Sequence, residues 1–524
     1  MITQSAFEVL GPIMVGPSSS HTAGALRIAS VARSLAPCAI RAARFTLYAS
    51  FARTHQGHGT DRALVAGLLG LETDDPRIRD SFALAQEAGL AFSFEEDPLT
   101  PVAHPNTVDI ALALEDGTSL ALRGESVGGG RVRISQIEGV EVDVSGEYVT
   151  LFVQHRDMPG VIASVTTAMA TFGANIAAMR NYRTERGGMA YTVLELDEAI
   201  DDAAVELIGR FPDVLMARLV SVPGTAPTGA SAELACGFAD GASLQAACAA
   251  RGCGIGALMR AREAGLLGSA EAADAQMARV LDALRAEVCA TIEAPEPSLG
   301  GFLHGQARAV ALAGEQLLGG PLSRATAYAM AVLERSAAMG VIVAAPTAGS
   351  AGVVPGALVA LAEARGASDE ALTDALWCAA AIGAIVGANA SVSGAEGGCQ
   401  AEVGTASAMA AAALAQMCGA DVSTCLDAAA LALGNILGLA CDPARGLVEY
   451  PCQNRNALGV ANAYSSAQLA LAGVRSAAPF DEVVAAMAAV GHALPSSLRE
   501  TAEGGLARCP SVCGDCAACE AGCA

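Results

Sequence analysis

Lysine is absent from this chain: all 31 basic residues are arginine. Without a lysine amine no imine can form between the protein and pyridoxal phosphate or a carbonyl substrate. A phosphate-binding loop of the Walker type would lack its lysine as well. Positive charge is scarce overall. The formal net charge is -23, which disfavours nucleic acid and anionic membrane surfaces as partners. Met1–Leu10 has no basic residue and no long apolar core, so it does not read as a signal peptide, and a cytoplasmic location is expected. The 16 cysteines are then expected as thiols or metal ligands rather than disulfides. The uncharged run 339–362 carries Pro346, Pro355 and a polar Thr-Ala-Gly-Ser centre, which suits a buried segment better than a membrane span. What is present is apolar: 53% hydrophobic residues exclude global disorder, and 524 residues imply two to four domains.

Residues 1–146 read as a mixed α/β domain. The loop from Gly11 to Thr22 is rich in Ser and ends in Ser18-Ser19-Ser20-His21-Thr22. It runs into a helix with Ala23, Leu26, Ile28, Ala29 and Val31 at apolar positions. Hydroxyls and free N–H groups at a helix start suit a carboxylate, and equally suit simple helix capping. A strand is expected at 45–50. A second loop, Thr54 to Asp61, sets His58 between Gly57 and Gly59 in what reads as an exposed position, ahead of a helix at 64–71. An alternating strand follows through Val108, Ile110, Leu112 and Leu114. Gly128-Gly129-Gly130 reads as a turn before a strand, not a dinucleotide loop, because no helix follows.

Residues 148–222 give the order βαββαβ: strand 148–155, helix 161–172, strands 175–182 and 188–196, helix 201–209, strand 214–219. That is the ferredoxin-like order. With Asp157-Met-Pro159-Gly160-Val161 and Gly173-Ala-Asn175-Ile176, the segment resembles an ACT domain, a regulatory module that typically binds amino acids at a dimer interface. The resemblance implies an amino-acid effector near Asp157, Pro159, Gly160, Asn175 and Ile176; a plain dimerisation module or spacer is the alternative. A small-residue linker, 223–231, leads into a largely helical region, 232–508. Helices are expected at 243–251, 256–264, 271–293, 325–339, 354–365, 370–387, 405–417, 423–436, 461–472 and 480–490. No internal repeat is evident.

Three cysteines stand in Gly-, Pro- or Asp-rich loops bordering apolar helices: Cys399, Cys441 and Cys452. They are 42 and 11 positions apart, unlike zinc-finger pairs. Separate loops can converge on one cluster, and three thiolates on a cubane leave an open iron to act as a Lewis acid; ordinary buried thiols are the other reading. The flanking motifs add to this. Pro346-Thr347-Ala-Gly349-Ser350, Ser393-Gly-Ala-Glu396-Gly-Gly-Cys399-Gln-Ala-Glu402 and Cys441-Asp-Pro-Ala-Arg-Gly-Leu-Val-Glu449-Tyr-Pro-Cys452-Gln-Asn-Arg-Asn456 closely resemble the iron–sulfur L-serine dehydratases. So do Gly16-Pro-Ser-Ser-Ser-His-Thr22 and Gly57-His58-Gly-Thr-Asp61. The resemblance spans nearly the whole chain, in the order β domain, ACT domain, α domain.

It implies an L-serine ammonia-lyase that makes pyruvate and ammonia. It further implies a 4Fe–4S cluster on Cys399, Cys441 and Cys452 whose open iron takes the serine carboxylate and hydroxyl. His58 is the first candidate for the base at Cα and His21 the second. Ser18, Ser19, Ser20, Thr22, Thr347, Gly349 and Ser350 are the expected substrate contacts. A homodimer is expected, with L-serine as substrate, an effector at the ACT domain, and neither nucleic acid nor membrane as partner. The tail, residues 509–524, holds five cysteines: Cys509, Cys513, Cys516, Cys519 and Cys523. Three readings stand for it: a fourth cluster ligand, with Cys523 as candidate, a separate metal site, or a redox-sensitive disordered tail. Two rival functions remain at this point, an iron–sulfur hydro-lyase acting on a hydroxy-acid and a non-enzymatic amino-acid or redox sensor.

Overall fold

The structure, a computed structural model, describes residues 2, 4–144, 148–197, 200–220 and 236–513. The chain divides into two units: Ser20–Ser231, and Met1–Ser19 together with Ala232–Ala524.

The first unit carries two sheets. The larger is built from β1 (Ile40–Tyr48), β2 (Ala91–Asp97), β3 (Thr107–Leu114), β4 (Ser119–Gly128), β5 (Arg131–Ile137) and β6 (Val140–Val144). Its spatial order is β2-β1-β3-β4-β5-β6; the β1–β2 pair is parallel and the rest are antiparallel. Val108, Ile110, Leu112 and Leu114 all point into the core, as the alternation predicts. The helix Gly24–Leu35 lies against this sheet. Gly124 permits the close approach, since a Cβ there would sit 2.3 Å from Ile28 Cγ2. β1 begins five residues before the predicted strand and stops at Tyr48. Ala49, at φ +42, turns the chain into a helix, Ala49–Thr54.

The second sheet holds β7 (Val149–Arg156), β8 (Ile176–Arg183), β9 (Met189–Leu196) and β10 (Val214–Val220), ordered β10-β7-β9-β8 and antiparallel throughout. Helices Val161–Thr171 and Asp202–Gly209 pack their apolar faces on Leu151, Val153, Leu194 and Leu196. This is the predicted ferredoxin-like arrangement of an ACT domain.

The second unit is helical. All ten predicted helices form, within a few residues of their expected ends apart from two early starts, at Gly320 and Cys452. An unpredicted one, Gln306–Ala313, joins them. Thr405–Met417 lies at the centre, buried from Thr405 to Ala415. Its alanines let Val353–Arg365, Asp369–Asn389, Val422–Gly434 and Cys452–Leu471 pack closely against it. The helix Cys452–Leu471 starts nine residues earlier than predicted. Its first turns are polar, and Gln453 and Asn456 among them are buried and bonded inside the unit. One described helix, Asp369–Asn389, is long and apolar enough to cross a membrane, and 72% of its apolar window is buried in the protein.

One segment expected within a first domain, 1–146, lies elsewhere. Residues Met1–Ser19 pack with the helical unit. Ile13–Val15 pairs antiparallel with Val341–Val343, and the buried Glu263 accepts the Ser5 hydroxyl and the Ala6 N–H. A buried carboxylate needs such donors, so this segment satisfies groups that the helical unit would otherwise leave unpaired.

Candidate functional site

Cys399 stands just before a π-helical turn, Gln400–Gly404, that continues into the central helix. Cys441 follows the helix Val422–Gly434 in a loop, and Cys452 opens the helix Cys452–Leu471. Three loops of the helical unit therefore bring three thiols inward, all under 8% exposed. The ligand atoms of Cys399, Glu402 and Cys441 lie within 4.8 Å of one another. Cys452 is near enough for the charges of Cys399 and Glu402 to act on its thiol.

The electrostatics favour a cation. A hydrogen bond with Cys399, then burial, pushes the Cys441 thiol well up. Burial and the neighbouring Cys399 and Glu402 do the same to Cys452. Glu402 is raised by burial, against the hydrogen bond from Thr347. Glu500 is pushed up to about 8 by burial and by Glu402. Thiols and carboxyls whose ionisation is opposed by burial at close quarters are charges a bound metal would stabilise. Arg455 is the cation among them. Burial opposes its charge, but Cys399 and Asp442 raise its pKa on balance.

The surrounding hydrogen bonds fix these loops. Arg455 Nη2 donates to Asp442 Oδ1 at 2.6 Å and its Nη1 to the Ala440 carbonyl at 2.9 Å. Asp442 Oδ2 accepts the Leu506 N–H at 2.7 Å, and Cys441 exchanges backbone bonds with Leu498 and Glu500. Glu449, buried, accepts from Ser298 Oγ (2.6 Å), Gly300 N (2.6 Å) and Phe302 N (2.9 Å).

The loop Thr347–Ser350 joins this group. Thr347 Oγ1 donates to Glu402 Oε1 at 2.8 Å, and Ser350 Oγ lies 3.2 Å from Thr347 Oγ1. Asn456 donates to the Gly349 carbonyl at 2.8 Å and accepts the Gly352 N–H at 3.1 Å. Gly349 is pressed against the carboxylate, since a Cβ there would lie 3.0 Å from Glu402 Oε1. Ser19 Oγ accepts the Ala348 N–H at 3.1 Å, so the Ser-rich segment reaches the same loop, and Ser18 is buried beside it in sequence.

The remaining predicted residues lie in the other unit. His21 and His58 stack edge to face with ring centroids 4.4 Å apart. His21 Nδ1 and Nε2 lie 3.1 Å from Ser20 Oγ and 2.9 Å from Ser50 Oγ. Thr22 Oγ1 donates to the His58 carbonyl at 2.7 Å. Burial, then the charges of His58 and His104, hold His21 well below the usual histidine range, so the imidazole is neutral near pH 7. The sequence placed His58 in an exposed setting. It is 1% exposed, because the Gly57–Gly59 turn folds it inward between two helices rather than out to solvent.

In the ACT segment Asp157 Oδ2 accepts from Arg183 Nη1 and Gly187 N, each at 3.1 Å. Asn175 bonds Asp197, Gly160 caps the helix at φ +95, Pro159 is exposed and Ile176 packs on the core. Cys523 and the rest of residues 514–524 lie outside the described residues.

Reasoning from sequence did not single out Glu402, Asp442, Glu449, Gln453, Arg455 or Asn456. All six stand within a few residues of the three cysteines, and a charged or amide side chain beside a candidate ligand is the signal that was available.

The serine dehydratase alpha chain family matches residues 210–507, the serine dehydratase beta chain family residues 5–88 and the ACT domain family residues 149–213. An L-serine dehydratase of Streptomyces coelicolor is 31% identical over 516 residues, covering 96% of this chain and 98% of that protein. The L-serine dehydratase beta chain of Peptoniphilus asaccharolyticus is 41% identical over 222 residues, 42% of this chain and all of its own length. The probable alpha chain of Bacillus subtilis is 51% identical over 198 residues, 38% of this chain and 66% of its own. With alpha-type, beta-type and ACT segments in a single polypeptide, this chain belongs to the L-serine dehydratase family.

Proposed function

We propose that the protein is an iron–sulfur L-serine ammonia-lyase that converts L-serine to pyruvate and ammonia. The observation that carries the reading is the convergence of three loop thiols, with Glu402 and Arg455, on one buried spot of the helical unit.

The donor set suits a 4Fe–4S cluster: Cys399, Cys441 and Cys452 are soft ligands, buried, and lack disulfide partners. When bound, the cluster supplies an iron without a protein thiolate that polarises the serine hydroxyl and carboxylate. The chain's own residues do the rest. Thr347, Gly349 and Ser350, with Ser18, Ser19, Ser20 and Thr22, supply hydroxyl and N–H donors for the substrate. Asn456 and Glu402 hold the Thr347–Ser350 loop in shape. His58 takes the Cα proton, with His21 as the second candidate. Loss of that proton and of hydroxide gives aminoacrylate and water. Tautomerisation to the imine and hydrolysis then give pyruvate and ammonia.

The ACT segment is proposed to pair two copies into a homodimer and to take an amino-acid effector at Asp157–Gly160 and Asn175–Ile176. The net charge of -23 supports a small-molecule substrate rather than nucleic acid. The test is anaerobic purification followed by iron analysis, visible absorption and pyruvate formation from L-serine, before and after air. A brown protein that makes pyruvate and loses both properties in air is expected. Turnover of serine by colourless, iron-free protein would overturn the mechanism, and a brown protein inert toward serine would shift the reading to another substrate or to a sensor.

A further inference from the structure

We propose that the iron-free site binds a single zinc(II) ion through Cys399, Glu402 and Cys441, in a mode that excludes Cys452. The argument is geometric. Two ligands on one tetrahedral zinc, with Zn–S near 2.3 Å and Zn–O near 2.0 Å, stand about 3.5–3.8 Å apart. The three donor atoms here lie within 4.8 Å of one another, and Cys441 Sγ is 3.9 Å from Glu402 Oε2. Cys452 is not a member of the close set. The three donors can therefore meet on one ion, two sulfurs and one oxygen, leaving a fourth position for water.

The carboxylate is aimed for this. Thr347 Oγ1 occupies Glu402 Oε1 and leaves Oε2 toward Cys441. That is the outer-shell hydrogen bond that orients a metal-binding carboxylate. Gly394 leaves the necessary room, because a Cβ there would lie 2.7 Å from Glu402 Oε2 and 3.1 Å from Cys441 Sγ. Zinc also binds such N/O/S sites more tightly than ferrous iron does. If the cluster reading holds, zinc occupies two of the three thiols that the cluster needs and blocks its assembly. That consequence rests on the proposed function; the zinc site itself rests on the donor geometry.

The experiment uses full-length protein, stripped of iron by chelation under nitrogen and titrated with zinc sulfate against a chromophoric chelator of known zinc affinity. The tail cysteines are present in every sample. Cys399→Ser, Cys441→Ser and the near-isosteric Glu402→Gln should each weaken one zinc component by at least about 10-fold, while Cys452→Ser should leave it within about twofold. Circular dichroism melting checks that each variant is folded, and Glu402→Gln carries the test if a thiol variant is not. Zinc binding unchanged in Cys399→Ser and Glu402→Gln would place the ion elsewhere, the tail included, and overturn the proposal. So would a loss in Cys452→Ser equal to that in Cys399→Ser. Iron reconstitution of the same proteins separates the two ideas. Iron uptake by wild type without the zinc pattern sinks this inference alone; the zinc pattern without iron uptake sinks the cluster reading alone.

Discussion

Two groups of buried thiols lie in the helical unit, and they differ in what surrounds them. Cys248, Cys378 and Cys425 sit inside the helices Gly241–Arg251, Asp369–Asn389 and Val422–Gly434, each at most 1% exposed. Burial pushes Cys248 and Cys425 up to about 12 and Cys378 well above the usual range. Cys399, Cys441 and Cys452 are nearly as buried, yet they stand on loops and at helix starts, among Glu402, Asp442 and Arg455. Burial alone thus does not mark a ligand. A free cysteine in a helix interior is a small hydrophobe. The informative feature is a shell of charged groups that must themselves be satisfied, and only the second group has one of any size. The first group meets two carboxylates: Asp374, which Gln416 Nε2 already occupies at 2.6 Å, and Asp421, which accepts the Thr424 N–H at 2.8 Å as a helix cap.

The sharpest way to break this contrast is to exchange the thiols. Serine at Cys399, Cys441 or Cys452 should lower both iron content and pyruvate formation by at least about 100-fold. Iron analysis beside a pyruvate assay reads both, and an active, iron-free Cys399→Ser protein would falsify the assignment. Next in size is His58→Ala. It should keep full iron and lose about 10²- to 10⁴-fold in turnover, the usual range for a general base. Full turnover in that variant would move the role to His21.

How far the sequence carried these assignments depended on local pattern. The central helix was legible to the residue, Thr405–Met417, because an unbroken apolar run, Ala408–Ala415, forms its body. The βαββαβ order was legible because runs rich in β-branched and aromatic residues are set apart by Gly, Pro and Asp turns. The placement of Met1–Ser19 was not, since it depends on acceptors 250 or more residues away, such as Glu263. The burial of His58 was not either: glycines on both sides allow either direction, and tertiary packing chose inward. Glu402 stood in a quoted motif, but only the fold shows its carboxylate bridging Thr347 and Cys441.

The charged shell can be tested apart from the thiols through Glu449. It satisfies three donors, Ser298 Oγ, Gly300 N and Phe302 N, three residues before Cys452. Glu449→Ala leaves them without that acceptor in a buried place, at a cost of about 3 kcal/mol. Denaturant midpoints should fall accordingly, and iron should be held less tightly because the loop ahead of Cys452 loses its anchor. An unchanged midpoint would mean that the shell is incidental.

A smaller effect concerns pH and the histidine pair. His21 is held well below the usual histidine range by burial, with His58 and His104 adding to it; Ser20 and Ser50 face its ring nitrogens and Phe51 its edge. Above about pH 6.5 the ring is neutral in both folded and unfolded chains and contributes nothing. Below that pH the unfolded chain takes a proton that the folded one resists, so stability falls as pH falls. Denaturant unfolding of wild type and His21→Gln from pH 7.5 to 5.5 checks this. Wild type should lose more stability over that window than the variant, and parallel curves would count against the burial argument.

The smallest expected effect completes the contrast of the two thiol groups. Cys378→Ala removes one sulfur from a fully buried helix position among Cys248, Cys425 and apolar neighbours. The loss of contact there costs about 1 kcal/mol, close to one buried methylene. No charged partner depends on that thiol for its shape, so iron content and pyruvate formation should match wild type. Thermal melting with iron analysis reads both. A variant as iron-poor as Cys399→Ser would show that the helix-borne thiols also support the metal site, and the distinction drawn from their surroundings would fail.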